Sequence, residues 1–206
     1  MERSGFLVLH FQNSVAHPNG VWGRNLYPQA VKNGSIENTR KAIDAARMRG
    51  YPIIYVNIEY RRDAPELPRY PCGLFKDAKH SPDGQAGSWG TQVIEELAPR
   101  HGDIIVANFN SDGFQGTVLD MILRNMGIRH VFICGQCVEH VVATTMKRAV
   151  NMGYQATLLS DCTSGFTDLN YEAMMNILPL YGDLITSDDF VKRRYQAPMG
   201  QSSYVA

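Results

Sequence analysis

The sequence has no excess of charge of either sign, because 20 Lys and Arg residues balance 20 Asp and Glu residues. Nucleic-acid-binding proteins usually carry a basic surplus, so this balance argues against nucleic acid as a partner. Four cysteines in 206 residues are too few for a disulfide-stapled scaffold. No apolar run approaches the ~18 residues that a membrane-spanning helix needs, and the first residues do not resemble a signal peptide. We therefore expect a soluble cytoplasmic protein that binds neither nucleic acid nor membrane.

The length and the low content of charged residues also indicate the number of domains and the oligomeric state. A chain of 206 residues fits one domain, so residues 1–206 are predicted to form a single domain. The polar stretch from about residue 191, rich in Tyr, Ser and Gln, is predicted to be a flexible or partner-contacting arm. Only 19% of the residues are charged, and a neutral, weakly charged surface favours self-association. We expect a homodimer or a homotetramer.

Apolar runs rich in Val, Ile and Leu recur along the chain without strict alternation, which is typical of strands covered on both faces. Six are predicted, at 6–10, 52–57, 103–107, 130–135, 155–160 and, more weakly, 183–186. Helical patterns lie between them at 35–49, 116–125, 139–151 and 167–178, with a short helix at 91–97. This alternation predicts a three-layer α/β/α sandwich with a mostly parallel, Rossmann-like central sheet.

Two long segments interrupt the alternation. Residues 12–32 and 59–88 are expected to be loops, and loops of that length in a compact domain usually act as lids or oligomer contacts. Parallel sheets bind their ligands at the carboxyl ends of the strands. The site is therefore expected among the residues at those ends, which are His10, Asn57–Tyr60, Asn108 and Gly135–His140.

Four motifs, in this order and spacing, resemble those of the isochorismatase-like hydrolases, a family that includes nicotinamidases, carbamoylases and related amidases. The first-strand motif of that family is similar to FLVLHFQNS, and its Gly-Thr-Trp-Gly block with the following turn is similar to SWGTQVIEELAPRHGDIIV. Its Ser-Ala-Phe-x-Gly-Thr segment resembles SDGFQGTVLDMILRNMGIRHVFICG, and the helix with its catalytic cysteine resembles CVEHVVATTMKRAVNMGYQATLLSD. The resemblance covers roughly residues 5–190 and implies the family's α/β fold.

The resemblance also implies a mechanism, in which a Cys thiolate attacks the substrate, an Asp on the first strand takes the proton and a Lys on the third strand holds the pair. A helix N-terminus and an adjacent base activate such a thiol. In this sequence the Asp position is His10, the Lys position is Asn108 and the Cys position is Val141. A valine side chain cannot be a nucleophile, so we do not expect the family's covalent mechanism here.

Four residues are predicted to replace the triad: His10, Asn108, Glu139 and His140. An imidazole with an ordinary pKa near ~6.5 can serve as general acid or base at neutral pH. His10 is otherwise a histidine packed at the end of a strand. Glu139 and His140 begin the helix near the oxyanion hole that the resemblance implies, although a Glu also suits the first turn of any helix.

The resemblance also indicates the walls of the pocket. Seven residues are predicted to contact substrate: Gln12, Tyr60, Trp89, Phe114, Gln136, Cys137 and Val141. Core packing is an equal alternative for Phe114. Arg61 and Arg62 either hold a carboxylate bidentately or belong to a solvated loop.

No cofactor is expected, because the sequence has no Gly-rich phosphate loop. A metal site from Glu59, His80 and His10 has little support in the spacing, and no metal is predicted.

Three functions remain open. The favoured one is an isochorismatase-like hydrolase or lyase-type enzyme that acts on a small polar metabolite by non-covalent acid–base catalysis. The first alternative is a catalytically inactive family member that serves as a binding or scaffold subunit. The second is a thiol redox protein, because Cys134 and Cys137 form a Cys-x-x-Cys pair.

Overall fold

A computed structural model describes residues 3–192 of the chain. Its centre is a sheet of six parallel strands in the order β3-β2-β1-β4-β5-β6. The strands are β1 (Arg3–Leu9), β2 (Ile53–Ile58), β3 (Ile104–Asn108), β4 (Ile128–Gly135), β5 (Gln155–Thr163) and β6 (Asp183–Ile185). The predicted α/β sandwich with a parallel, Rossmann-like sheet is confirmed.

Eight α-helices accompany the sheet in the described part of the chain. They are α1 (Asn13–Ala16), α2 (Gly23–Asn33), α3 (Ser35–Met48), α4 (Phe75–His80), α5 (Leu119–Asn125), α6 (Ala143–Asn151), α7 (Asp168–Ile177) and α8 (Ser187–Val191). A π-helical turn, Val138–Val142, precedes α6 without a break. Between residues 3 and 192 there is no helix with the length and apolar character needed to cross a bilayer.

The strands bury both faces, which explains why their sequences are continuously apolar. Leu7 and Leu9 of β1 pack with α5 and α6 on one face, whereas Phe6 and Val8 pack with α3 and α8 on the other. Neighbouring strands alternate in the same way, so the sheet separates two apolar cores. These cores hold the strand ends in fixed positions relative to one another.

Several predicted boundaries need correction. The segment 12–32 is not one loop, because it contains α1 and most of α2, and 59–88 contains α4. Helix α2 continues past Pro28, since its buried Leu26 and Ala30 give it an apolar face. The helix predicted at 91–97 is absent; two 3₁₀ turns lie there instead, because Ile94 N–H bonds to Phe11 O and keeps the chain between them extended. The predicted arm lies almost wholly outside the described residues.

The order of the strands reverses between β1 and β4. Such a reversal opens a crevice at the carboxyl ends of the two strands, where ligands of this architecture bind. The long segments after β1 and β2 fold over this edge and form a third apolar cluster, which includes Val15, Trp22, Leu26, Tyr60 and Cys137. The fold therefore covers its own crevice with apolar side chains.

Candidate active site

A cavity of about 430 Å³, including its mouth, lies at the reversal point of the sheet. The residues at or just after the strand ends are His10 for β1, Ile58 and Tyr60 for β2, Asn110 for β3, and Cys137 and His140 for β4. The remaining wall comes from the covering segments and from the turn after β5: Val15, Trp22, Leu26, Leu74, Phe75, Ala78 and Phe166. The cavity is thus built by every strand end from β1 to β5, although most of its surface is apolar.

His10 lies directly after β1 in a left-handed backbone conformation, with a φ of 54°. A non-glycine residue pays a conformational penalty there, and such residues concentrate at functional sites. Its backbone N–H donates to Val56 O at 3.0 Å, which ties the strained residue to β2. Its side chain is buried, with 3% exposure.

A chain of hydrogen bonds fixes the protonation of the His10 ring. Asn108 Nδ2 donates to Asp112 O at 2.8 Å, so its Oδ1 is the atom that lies 2.9 Å from His10 Nε2. A carbonyl oxygen only accepts, and therefore His10 Nε2 carries the hydrogen. The other ring nitrogen, Nδ1, is then a free acceptor with no partner among residues 3–192.

The loop that holds Asn108 is itself anchored from α6. Asp112 Oδ2 accepts from Arg148 Nε at 2.9 Å, and its Oδ1 accepts from Phe114 N–H at 2.9 Å. Gly113 N–H donates to Thr145 Oγ1 at 2.9 Å. Two contacts from α6 and one within the loop therefore hold the segment after β3, whose Asp112 O accepts from Asn108.

Burial favours the neutral form of both histidines of the cavity. Burial lowers the pKa of His10 to about 4, against a smaller opposing effect of its bond to Asn108, and the nearby His140 lowers it further. Burial also lowers the pKa of His140, whose ring lies 6.1 Å from that of Phe75. His10 and His140 do share one cavity, which the sequence could not show.

Cys137 contributes the only thiol among the described residues of the cavity wall. It also has a left-handed backbone, with a φ of 61°. Burial raises the pKa of the thiol, and the carboxylate of Glu139 raises it further. Cys134 lies elsewhere, in the core beneath α3, where its Sγ donates to Leu7 O at 3.4 Å. The structure does not bring this Cys-x-x-Cys pair together at the cavity, and both thiols are free.

Glu139, predicted to be catalytic, does not line the cavity itself, although its carboxylate acts on the Cys137 thiol of the wall. Its Oε1 accepts from Phe166 N–H at 2.8 Å and from Asn170 Nδ2 at 2.9 Å. One carboxylate oxygen is thus bonded to the segment between β5 and α7. Glu139 therefore positions Phe166, which does line the cavity.

Two glutamines expected to contact substrate are structural braces. Gln12 Nε2 donates to Ile58 O and Thr91 O, both at 2.8 Å, and its Oε1 accepts from Ile58 N–H. Gln136 accepts from Ser164 and donates to Ser35 Oγ. Both are fully buried, and neither lines the cavity. The amide of Gln12 bonds to backbone groups beside the strand ends, whereas that of Gln136 bonds to two serine hydroxyls.

Three other expected wall residues also lie outside the cavity. Trp89 is 44% exposed and packs edge-on against His17, with ring centroids 5.0 Å apart. Phe114 and Val141 belong to the core beneath α5 and α6, where the Phe114 ring stacks on Tyr154. Of the seven predicted contacts, only Tyr60 and Cys137 line the cavity.

Sequence reasoning missed the covering wall. Trp22, Leu26, Leu74 and Phe75 come from the two segments that interrupt the strand–helix alternation, and Phe166 follows β5. The signal that could have found them is the presence of large apolar residues in segments otherwise rich in Pro, Gly and charge.

Among residues 3–192 no group of His, Cys, Asp and Glu side chains is arranged to hold a metal ion. Arg61, a candidate carboxylate holder, is paired with Glu66 and its side chain is 78% exposed. Arg62 is also exposed.

A Rossmann-ordered parallel sheet with a buried histidine and a cavity at its reversal point has the architecture of an α/β enzyme. Residues 4–189 match the model of the isochorismatase domain. The chain therefore belongs to the isochorismatase family of hydrolases.

Curated relatives are similar over nearly the whole chain. A ureidoacrylate amidohydrolase RutB from Rhizobium rhizogenes is 28% identical over 93% of this chain and 83% of its own length. The protein of the same name from Azorhizobium caulinodans is 26% identical over 96% and 93%.

Solved structures share the fold. The N-carbamoylsarcosine amidase of Thermoplasma acidophilum superposes with a TM-score of 0.72 at 27% identity, over 90% of this chain and 97% of that one. An isochorismatase family protein from Desulfovibrio vulgaris superposes with a TM-score of 0.83 at 18% identity, over 95% and 100%.

Proposed function

We propose that this protein is a hydrolase of amide or ureide C–N bonds that works by non-covalent acid–base catalysis, with neutral His10 as the general base. The observation that carries the proposal is the chain from His10 through Asn108 to Asp112. It holds one ring nitrogen of this cavity-lining residue as a donor and leaves the other as an acceptor. The similarity to proteins named amidohydrolase and amidase supports the choice of bond.

In this mechanism His10 Nδ1 takes a proton from a water molecule as the water oxygen attacks the carbonyl carbon. The C–N bond of the tetrahedral intermediate then breaks, and the same proton passes from Nδ1 to the leaving nitrogen. The imidazolium between the two steps is stabilised by its Nε2–H bond to Asn108 Oδ1. The role of general acid in the resting enzyme does not suit His10, because its pKa of about 4 keeps it unprotonated at neutral pH.

Cys137 is the residue that a covalent mechanism would have to use, since Val141 is in the core. The nucleophile of such a mechanism is the thiolate. Burial and Glu139 both favour the protonated thiol, and no Lys or Arg lines the described cavity. The environment of Cys137 is therefore the opposite of the electropositive one that activates a cysteine.

A second candidate function is binding without turnover. It is favoured by one observation, which is that burial weakens His10 as a base by lowering its pKa. A protein of this kind would hold a ligand in the same cavity and release it unchanged.

Turnover of a panel of amides and ureides by the wild type, His10→Gln and Cys137→Ser separates these functions. We expect His10→Gln to lower turnover ~10²–10⁴-fold, the usual contribution of a general base, and Cys137→Ser to retain it within about threefold, because a serine hydroxyl is nearly isosteric with the thiol. Loss of turnover in Cys137→Ser, with a covalent adduct on Cys137 in the wild type by mass spectrometry, would contradict the proposal. Saturable binding with no turnover of any compound would favour the binding function.

A further inference from the structure

We propose that His140 is a second catalytic residue, whose ring N–H donates to the carbonyl oxygen of the substrate and stabilises the negative charge that forms there. The inference rests on the proposed function, because it adds to the mechanism in which His10 is the general base. That mechanism accounts for the proton of the attacking water but provides no donor for the oxyanion. Donors placed at such an oxygen are usually the largest single contribution to catalysis of this kind.

The strand register places His140 beside His10. Leu9, the last residue of β1, is paired with Gly135, the last residue of β4, and Gln136 N–H donates to Leu9 O at 3.1 Å. The two segments therefore leave the sheet side by side, one into His10 and the other into the π-helical turn that carries His140. Both histidines line the same cavity, and the nearby His140 contributes, after the larger effect of burial, to the lowered pKa of His10.

Few donors of the cavity are available to a substrate oxygen. The Asn110 amide is occupied within its own loop. His140 O accepts from Thr144 Oγ1 at 2.7 Å, but the His140 ring has no hydrogen-bond partner among residues 3–192. Trp22 Nε1 and the Tyr60 hydroxyl also lack one in that part of the chain. These two come from the segments that cover the crevice, whereas the turn with His140 continues the strand next to β1.

Burial suits His140 to the role of a neutral donor. It lowers the pKa of the ring, against a smaller opposing effect of the Glu139 carboxylate, and a neutral imidazole keeps one N–H donor. Neutral imidazoles in enzymes can polarise a carbonyl group in this way. A neutral ring also has an electrostatic advantage, because His10 becomes an imidazolium during the attack and a second cation beside it would oppose that step.

The reaction balances without any proton leaving His140. As the water oxygen attacks and His10 Nδ1 takes its proton, the π electrons of the C=O bond move onto the carbonyl oxygen, where the bond from His140 N–H strengthens. When the C–N bond breaks, these electrons form the C=O bond again and the proton on His10 passes to the leaving nitrogen. We therefore expect His140 to stabilise the transition state more than the bound substrate.

Kinetics on an amide that the wild type hydrolyses test this role. His140→Phe keeps a ring beside Phe75 and removes the donor, so it should lower kcat ~10²–10³-fold and leave KM within about threefold. His140→Gln restores an N–H donor and should recover at least about tenfold of this loss. The matched control is His101→Gln, a change at an exposed histidine, which should behave as the wild type.

A thioamide of the same substrate separates a catalytic role from a structural one. Sulfur accepts hydrogen bonds more weakly than oxygen, so the preference of the wild type for the amide over the thioamide should fall about tenfold in His140→Phe. The same preference should not change in Trp22→Phe or Tyr60→Phe, which remove the competing donors. An unchanged preference in His140→Phe, or a fall in either of the other two variants instead, would overturn the inference.

Nuclear magnetic resonance tests the contact without turnover, in protein labelled with ¹⁵N in its six histidines. The probe is acetamide, and the spectrum of His140→Phe assigns the signal. We expect acetamide to move the resonance of the His140 N–H proton and to slow its exchange with water. Absence of both changes would also overturn the inference. Their presence in a protein that hydrolyses no amide or ureide would instead contradict the proposed function and leave the contact between His140 and the carbonyl oxygen standing.

Discussion

The two ends of the sheet each hold a buried histidine, and the pair shows what distinguishes a site from a core. His10 lies at the carboxyl end of β1, and His130 lies near the amino end of β4, where its Nε2 is 2.8 Å from Thr157 Oγ1. Burial lowers the pKa of both to about 4. Burial and a shifted pKa are thus common to both ends and identify neither as functional.

The differences lie in the surroundings. His10 has a left-handed backbone, bonds to the end of another strand and lines the cavity that the strand reversal opens. His130 sits within a regular strand, with its ring 4.4 Å from Phe132. A cavity also adjoins His130, so backbone strain and the convergence of several strand ends are the observations that favour function at His10.

The largest expected effect separates the two histidines by activity. On an amide that the wild type hydrolyses, His10→Gln should lose ~10²–10⁴-fold in turnover, whereas His130→Gln should keep turnover per folded molecule within about threefold. His130→Gln should instead lower the free energy of unfolding by ~1–3 kcal/mol, because it disturbs a buried polar contact. Steady-state kinetics and urea unfolding of both variants measure this. Comparable losses of turnover in the two would remove the distinction between the ends.

The second prediction concerns stability, in which the two ends should behave alike. The pKa of each histidine is lowered from 6.5 to about 4 in the folded state, so between these values the unfolded state binds more protons. The free energy of unfolding therefore rises as the pH increases from about 4 to 6.5. Above pH 6.5 the stabilisation that the neutral histidines provide is complete. The expected change in the free energy of unfolding across this window is ~3 kcal/mol for each histidine.

Urea unfolding across this pH window measures the effect. His10→Gln and His130→Gln should each flatten the pH dependence by a similar amount, although only one of them affects turnover. Carboxylates such as Glu66 also titrate near the lower end of this window. Their contribution to the pH dependence is the same in the variants and the wild type, so it cancels when the two are compared. A wild-type free energy of unfolding that does not change between these pH values would show that the histidines are not buried in neutral form.

The sequence predicted the sheet well and the cavity in part, for physical reasons. A strand that is buried on both faces has a continuous apolar sequence, as in VFIC before Gly135. This pattern can be recognised from the local sequence alone. The strand ends His10, Asn108 and Cys137 follow from those runs. The covering residues Trp22 and Phe75 do not, because their role depends on how long segments fold back over the crevice, and local pattern does not encode that path. Glu139 was predicted from its place at the start of a helix, and the structure shows it bonded to Phe166 N–H and Asn170 without lining the cavity.

The smallest effect tests Asn108 as a positioning residue, with Thr157 as its counterpart at the other end. Asn108→Ala removes the acceptor of His10 Nε2–H and should lower turnover about tenfold, the equivalent of one neutral hydrogen bond. Asn108→Asp places a carboxylate there instead, which favours the imidazolium and raises the pKa of His10. The acidic limb of the pH–turnover profile should therefore move to higher pH in Asn108→Asp, a change that general destabilisation would not produce.

Thr157→Val removes the partner of His130 and should alter only stability. An unmoved limb in Asn108→Asp, or equal losses of turnover in Asn108→Ala and Thr157→Val, would show that Asn108 supports the fold and does not tune the base.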